Sequence, residues 1–264
     1  MSAFTSPIES RSLKLNVLAV GKFIQNYLIR PLKRNTTPKP PYYTSKITDE
    51  QVKCLLEATP TLYSVAKKQA LIRDGYRCMA CGVWDRRGPD YMNPSPGFAV
   101  WTRCAHIVPE SITMIALSSQ PTASDTANEL ELDYSTTSLR TILRCFGCDI
   151  DTITGRTVHS LHNIMTLEVN VRDAFDRLDL WFVATAPPHC YTFDKLPLPS
   201  PELLLLHATC AEVAHLSGTT AYMDKNDLKI EEDADVLAED GGSAELLQHA
   251  ILSRLGNSIH GSDL

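Results

Sequence analysis

The sequence predicts an α+β domain with additional helices at both ends, and three observations support this class. Residues 98–107 and 158–167 are rich in the β-branched, aromatic and other apolar residues that favour strands. In residues 168–182 the apolar side chains instead recur every three or four positions, which is typical of a helix. Residues 202–216 predict a further helix that is apolar nearly all round, so we expect it to be buried.

The first predicted unit comprises residues 1–45. Residues 1–34 contain six basic residues and one acid, and their apolar side chains recur at helical spacing. This pattern predicts an amphipathic helix that packs on the domain, although a mitochondrial presequence is also basic and amphipathic. Residues 35–45 contain three prolines and are predicted to form a linker.

The second predicted unit, residues 46–218, contains the domain and its flanking helices. One helix starts at Thr48, whose hydroxyl can cap it while Gln51 completes a capping box. A second helix spans Ser64–Ile72 and ends at an Asp-Gly turn. A Pro- and Gly-rich loop then leads to the first strand, and a further helix is expected near residues 136–146.

The C-terminal helices follow a proline-rich segment. Ser200 is the predicted N-cap of the apolar helix, with Pro201 in its first turn and Gly218 beyond its end. Residues 224–240 contain eight acids and two lysines, which indicates a solvated acidic linker. The third predicted unit, residues 219–264, therefore consists of this linker and a weak terminal helix.

The composition limits the possible functions of the chain. Its 264 residues are 44% apolar and 21% charged, which is ordinary for a globular domain, and the formal net charge is −6. This charge excludes a protein that is basic all over, but it allows a local basic patch for nucleic acid. No apolar run reaches the roughly 18 residues of a membrane span, so no membrane partner is expected. Because no secretory leader is apparent, we expect reduced cysteines and an intracellular protein, nuclear or cytoplasmic.

Three segments stand out in the order in which they occur: RDGYRCMACG (73–82), CAHIVPES (104–111) and HSLHNIMTLEVNVRDAFDRLDLWF (159–182). Together they resemble the HNH endonuclease family, and more narrowly fungal proteins with an HNH nuclease domain. The resemblance extends over residues ~65–218. It implies a ββα-metal (HNH-like) core, in which a strand ends in a histidine, a second strand carries an asparagine, and a helix follows.

The resemblance also implies a chemistry, the hydrolysis of a phosphodiester in nucleic acid, with DNA expected rather than RNA. Such hydrolysis requires a base that deprotonates water and a divalent cation, here of the Mg²⁺ class, that neutralises charge on the phosphate oxygens. His106 occupies the position of the general base, and a neutral imidazole titrates near the working pH. Asn163 occupies the position of the asparagine that holds the base or its loop.

The sequence departs from the family pattern at Arg172, where relatives carry a metal-binding histidine. Arginine stays protonated and has no lone pair for a metal. Asp176, His159 and His162 are alternative ligand candidates. Equally, Arg172 and Asp176 can form an i,i+4 ion pair that leaves no metal site. The chain is therefore predicted to be either a metal-dependent nuclease or a degenerate HNH module that binds nucleic acid or a protein partner without cutting.

Cysteines occur in two Cys-x-x-Cys pairs, Cys78/Cys81 and Cys145/Cys148. Four such thiolates can bind structural zinc, but the two pairs are much further apart in sequence than in an ordinary zinc ribbon. We therefore expect free thiols and no structural zinc. Cys104 lies near His106, but nothing in the sequence supplies the remaining parts of a cysteine-nucleophile site.

Overall fold

The computed structural model describes residues 17–33, 60, 62–89, 98–117, 139–148, 157–184, 196–232, 246–247 and 250–251. The predicted linker at 35–45 and the predicted helix at Thr48 lie outside these residues. The helices, in chain order, are α1 (residues 17–32), α2 (Tyr63–Arg73), α3 (Glu110–Leu117), α4 (residues 139–145), α5 (Val169–Asp176), α6 (Pro201–Leu216) and α7 (Thr219–Glu232). Within the part of the chain that the structure describes, no helix has the length and apolar character of a membrane span.

Two strands, β1 (Thr102–His106) and β2 (Ile164–Glu168), form an antiparallel sheet in which His106 is opposite Ile164. The fold is therefore α+β, as predicted. Both strands are shorter than their sequence patterns indicate. Val100 makes only an isolated bridge, and a 3₁₀ turn at Leu161–Asn163 precedes β2.

Helix α5 follows β2 directly because Glu168, the last residue of the strand, is also the N-cap of the helix. Its carboxylate accepts hydrogen bonds from the backbone N–H groups of Asn170 and Val171. The predicted helix over 168–182 is too long, because the chain leaves the helix at Leu178, where φ is 64°. This left-handed conformation strains a leucine, but the Leu178 side chain is completely buried in the core.

The N-terminal helix α1 packs on the domain, which confirms that prediction for the described residues. Leu28, Ile29 and Leu32 belong to the main core. A π-helical turn, Gln25–Ile29, lies just before Pro31, and the N–H of Arg30 bonds to the carbonyl of Gln25. Pro31 cannot donate a backbone hydrogen bond, which accounts for the irregular turn at this point.

The two faces of the sheet contact different sets of residues. On one face, Ala105, Met165 and Leu167 join the main apolar core with Phe175 of α5. This core also contains buried side chains of the other helices, including Ile112, Leu143, Leu206 and Met223. On the other face, Cys104 and Ile164 pack against Ala66 and Ala70 of α2. Because side chains alternate along a strand, His106 shares the α2 face with Cys104.

Two buried arginines fasten the sheet. Arg73, at the end of α2, donates to the carbonyls of Leu161 and Ile164, both at 2.7 Å, and pairs with Asp74 at 2.6 Å. The same Asp74 carboxylate accepts from the N–H of Thr166 in β2. These bonds tie the end of α2 to the start of β2.

At the opposite end of β1, Arg87 and Asp85 form a second buried ion pair, with Nη2 and Oδ2 2.7 Å apart. Asp85 accepts hydrogen bonds from the N–H and hydroxyl of Thr102, and Arg87 donates to the Thr102 carbonyl. Burial opposes ionisation of Asp85, but these hydrogen bonds and the positive charge of Arg87 outweigh it and lower the pKa of Asp85.

Helices α6 and α7 confirm one prediction and correct two. The Ser200 hydroxyl caps α6 by accepting from the N–H of Leu203, as predicted. The expectation that α6 is buried all round is wrong, since Leu205 and Leu216 are exposed. The acidic segment over 224–232 is a helix rather than a linker.

Helix α7 is part of the domain rather than an appendage to it. Met223 is buried in the main core, and Asp224 pairs with Lys33, directly after α1, at 2.8 Å. The boundary predicted at residue 218 therefore falls within a packed pair of helices.

Candidate functional site

Two imidazoles meet at the end of β1 and form the centre of the candidate site. Nε2 of His106 lies 3.1 Å from Nδ1 of His159, which is a hydrogen-bond distance. The Tyr63 ring of α2 stacks on His106, with ring centroids 5.5 Å apart. The Tyr63 hydroxyl donates to the carbonyl of Cys104 at 3.2 Å, which anchors the ring against β1.

Asn163 holds the two histidine-bearing segments together. Its Oδ1 accepts from the N–H of Val108 at 2.8 Å, and its Nδ2 donates to the carbonyls of Val108 and Val158. Val108 lies two residues after His106, and Val158 immediately precedes His159. Asn163 is completely buried and all these bonds go to backbone atoms. Asn163 therefore links the backbone segments that carry the two imidazoles.

The two rings differ in their access to solvent. His106 is 7% exposed and lies between Tyr63 and His159, whereas His159 is half-buried. In the neutral pair one of these two nitrogens donates and the other accepts, and either arrangement of tautomers satisfies the contact.

Arg172 and Asp176 form an ion pair along α5, with Nε and Oδ2 3.1 Å apart. The Asp176 side chain is 2% exposed and that of Arg172 is 20% exposed. Burial alone would lower the pKa of Arg172, but the neighbouring Asp176 carboxylate outweighs it and raises the pKa. Tyr63 is a further electrostatic neighbour of Arg172, so the guanidinium lies on the His106 side of the domain.

Two further cations, Lys67 and Arg103, lie along β1 and are electrostatic neighbours of each other. Lys67 lies one turn after Tyr63 in α2, and Arg103 lies two residues before Ala105 in β1. Partial desolvation lowers the pKa of both groups, and the like charge of Arg172 adds to the effect at Arg103. Within the described residues, neither Lys67 nor Arg103 has a salt bridge. An anion bound here would relieve this repulsion.

The predicted metal ligands do not converge on one point. His159 contacts His106, Asp176 pairs with Arg172, and Nδ1 of the exposed His162 lies 3.0 Å from the carbonyl of Leu198. Among the residues that the structure describes, no group of three or more His, Cys, Asp and Glu side chains is arranged to hold a metal ion. Asp176 and His162 thus have other partners than the imidazole pair.

The cysteines named from the sequence lie in separate environments. Cys78 and Cys81 lie on one turn, whereas Cys145 is at the end of α4 and the thiol of Cys148 faces the carbonyl of Glu202. All four are free thiols in the structure. Burial raises the pKa of Cys104 to about 12, so this thiol is protonated at neutral pH and unsuited to act as a nucleophile.

Sequence reasoning missed Tyr63 and Lys67. Both lie outside the three segments that carry the family resemblance, and their role depends on the packing of α2 against β1. Their i,i+4 spacing places them on one face of α2, but only the tertiary contact shows that this face meets the histidine. No local pattern in the sequence could have identified them.

Comparison with known proteins gave a match to a family model. Residues 78–183 match the family model described as HNH endonuclease, and this segment is about two fifths of the chain. The match contains β1, β2 and α5 with both imidazoles, so the candidate site lies within the segment that is similar to an HNH endonuclease. This family match suggests a nuclease-type function and implies a nucleic acid substrate. Searches of curated proteins and of solved structures gave no match.

Proposed function

We propose that this domain binds nucleic acid at the β1 edge and that His106, paired with His159, is the general base for phosphodiester hydrolysis. The observation that carries this proposal is the 3.1 Å contact between the two imidazoles inside the HNH segment. The order of β1, β2 and α5 supports a ββα core of the HNH type.

In this mechanism His106 is the base for the attacking water. His159 is the more exposed ring, and it passes the proton of the water to His106 through their shared hydrogen bond. Asn163 keeps the segments of both rings in place through Val108 and Val158. Because the two rings act through one hydrogen bond, loss of either ring is expected to abolish the base function.

In this proposal three cations of β1, α2 and α5 bind the phosphates of the substrate. Lys67 and Arg103 lack carboxylate partners among the described residues, and Arg172 keeps a partly exposed guanidinium beside Tyr63. Contacts from these groups to phosphate oxygens would position the backbone of a nucleic acid without reading its sequence. Since such contacts do not distinguish sugars, DNA and RNA must be compared directly.

The described residues do not fit a Mg²⁺ ion, although HNH nucleases generally use divalent metals. Mg²⁺ prefers oxygen ligands in octahedral geometry, and the nearest carboxylate, Asp176, already pairs with Arg172. The imidazole pair offers only nitrogen donors. We therefore derive no step through a metal ion.

The Arg172–Asp176 ion pair favours a second function, in which the domain binds nucleic acid without cutting it. A fixed positive charge repels a divalent cation, yet the same guanidinium can bind phosphate through two parallel hydrogen bonds. We therefore expect the wild-type chain to nick plasmid DNA weakly or not at all with Mg²⁺ or Mn²⁺.

A plasmid-nicking assay, with and without chelator, tests the general base. His106→Ala and His159→Ala should both remove any wild-type nicking, whereas His162→Ala, a matched change at an exposed histidine outside the pair, should leave it unchanged. Where wild type nicks detectably, equal nicking by His106→Ala would contradict the role of the pair. A separate binding assay compares single-stranded and double-stranded DNA and RNA of one sequence. The nucleic acid that binds most tightly indicates the preferred substrate class.

The Arg172 position is tested by Arg172→His, which restores a lone-pair donor beside Asp176. This variant should gain Mn²⁺- or Mg²⁺-dependent nicking, and adding His106→Ala should abolish the gain. Thermal unfolding of each variant shows whether it is folded. Strong chelator-sensitive nicking by wild type that also requires His106 would exclude the binding-only function.

A further inference from the structure

The two Cys-x-x-Cys segments have identical spacing but different geometries. In the first, the N–H of Cys78 bonds to the carbonyl of Val83, and the N–H of Gly82 bonds back to the carbonyl of Cys78, both at 2.9 Å. Gly82 adopts φ +69°, which closes the turn. This closed turn brings the backbone of Cys78 and Cys81 close together, as a disulfide requires.

The side chains of this first pair face each other. Partial burial raises the pKa of the Cys81 thiol, and the neighbouring Cys78 side chain raises it further. Cys78 is 2% exposed, whereas Cys81 is exposed to solvent. An external reagent therefore reaches Cys81 first and finds Cys78 directly behind it.

The second segment provides an internal comparison. Cys145 ends α4 as an exposed residue, and the chain then reverses at Gly147, where φ is +74°. The buried Cys148 thiol lies 3.5 Å from the carbonyl of Glu202, and Cys148 is an electrostatic neighbour of Cys210. Burial raises the pKa of Cys148 to about 11. The thiol of Cys148 thus faces α6 and not the exposed Cys145.

We propose that Cys78 and Cys81 are a redox-active dithiol that closes to an intramolecular disulfide by exchange with a small disulfide of the glutathione type. The Cys81 thiolate attacks one sulfur of the small disulfide, forms a mixed disulfide and releases one small thiolate. The Cys78 thiolate then attacks the Cys81 sulfur and releases the second. The two protons lost by the protein are taken up by the two released thiolates, so atoms and electrons balance.

The dithiol turn is connected to the sheet that carries the imidazole pair. The N–H of Met79, inside the turn, donates to the carbonyl of Thr166 in β2 at 2.9 Å. A disulfide between Cys78 and Cys81 would therefore form in a turn that is hydrogen-bonded to β2. The dithiol site itself does not depend on the proposed nuclease function.

The test treats the reduced full-length chain with oxidised glutathione and analyses it by intact mass and peptide mapping. Wild type should lose two of its eight thiols and show a Cys78–Cys81 disulfide. Cys78→Ser should stop at a glutathione adduct on Cys81, and the exposed-site variant Cys81→Ser should form no disulfide in this turn.

Cys145→Ser is the matched control, because it removes the exposed cysteine of the other pair and should leave the Cys78–Cys81 disulfide unchanged. Wild-type mapping needs no variant to fold, so it remains decisive if Cys78→Ser is unstable. The proposal is overturned if Cys145 acquires glutathione while Cys78 and Cys81 stay reduced. Disulfide formation to the same extent at Cys145 and Cys148 would also overturn it, because the structural difference between the pairs would then have no chemical consequence.

Discussion

The two faces of the β1–β2 sheet are stabilised by different forces. The face toward α5 presents Ala105, Met165 and Leu167 to the main core, where burial of apolar surface stabilises the packing without a preferred direction. The face toward α2 carries the imidazole pair, and hydrogen bonds from Asn163 and Arg73 hold the segments around it. Hydrogen bonds are directional, so this face fixes the relative orientation of the groups that it holds.

The largest expected effect is at Arg73. Arg73→Met removes the donor to the carbonyls of Leu161 and Ile164 and leaves the buried Asp74 carboxylate without its cation. Breaking a buried ion pair in this way costs about 3–5 kcal/mol. Urea unfolding measures the loss, and Arg77→Met, at an exposed arginine over the Trp84 ring, is the control. Similar stabilities of the two variants would show that the Arg73 contacts contribute little.

The second effect is at Asn163. Asn163→Ala leaves the N–H and carbonyl of Val108 and the carbonyl of Val158 without their partner. At about 1–3 kcal/mol for an unsatisfied buried group, partly relieved by water, we expect a loss of about 2–4 kcal/mol in the free energy of unfolding. Asn170→Ala, at an exposed asparagine that bonds to Glu168, is the matched control and should change stability by less than about 1 kcal/mol.

The Asn163 variant also separates positioning from folding. Because both histidine segments are held by the same side chain, Asn163→Ala should weaken nicking even where the protein is fully folded. Asn163→Asp can still accept from Val108 but cannot donate to either carbonyl, so it should be impaired as well. If folded Asn163→Ala keeps full nicking activity, other contacts hold the imidazole pair and the hydrogen bonds of Asn163 are not required.

Sequence patterns predicted the order of the elements well because that order depends on local composition. They predicted the element ends less well. The chain turns at Leu178 even though the apolar spacing of a helix continues beyond it, and burial of that leucine outweighs its backbone strain. Ser160 and Asn163 form a 3₁₀ turn where β-rich composition predicts a strand, because the Asn163 side chain bonds to the neighbouring loops.

The candidate site was predictable only where it lies within the motif segments. His106 and His159 were named from the sequence, but their contact depends on the β1–β2 register and the Asn163 clamp. Tyr63 could not be predicted from the sequence because its stacking on His106 is a non-local contact. The ion pair between Arg172 and Asp176 followed from helical spacing alone, and it formed as the i,i+4 alternative described.

The third prediction concerns pH and the Asp85 clamp at the start of β1. The pKa of Asp85 is lowered in the folded state, so its stabilising contribution is complete above the ordinary carboxyl value of about 3.9. This contribution is lost as the pH falls through the pKa of Asp85 in the folded protein, by up to about 1.4 kcal/mol per pH unit for one proton. Urea unfolding between about pH 6 and pH 3 should therefore give a shallower slope for Asp85→Asn than for wild type.

A matched variant isolates this effect from general acid unfolding. Asp179→Asn removes an exposed carboxylate that pairs with Arg177 on the surface, and it should keep the wild-type pH slope. If Asp85→Asn and Asp179→Asn give the same slope, the buried clamp does not contribute to acid sensitivity.

The smallest effect is expected for Leu206→Met, at a residue of α6 behind the apolar face. Leu206 is 1% exposed and packs in the main core. Leu206→Met nearly conserves volume and should cost less than about 1.5 kcal/mol, since burial has no preferred direction, whereas Leu206→Ala should cost about 2–5 kcal/mol. Leu205→Gln, at a neighbouring position that is 60% exposed, should stay within about 0.5 kcal/mol of wild type by urea unfolding. If Leu206→Met lowers the free energy of unfolding more than Asn163→Asp does, the apolar face depends on side-chain shape as strictly as the α2 face depends on hydrogen-bond geometry.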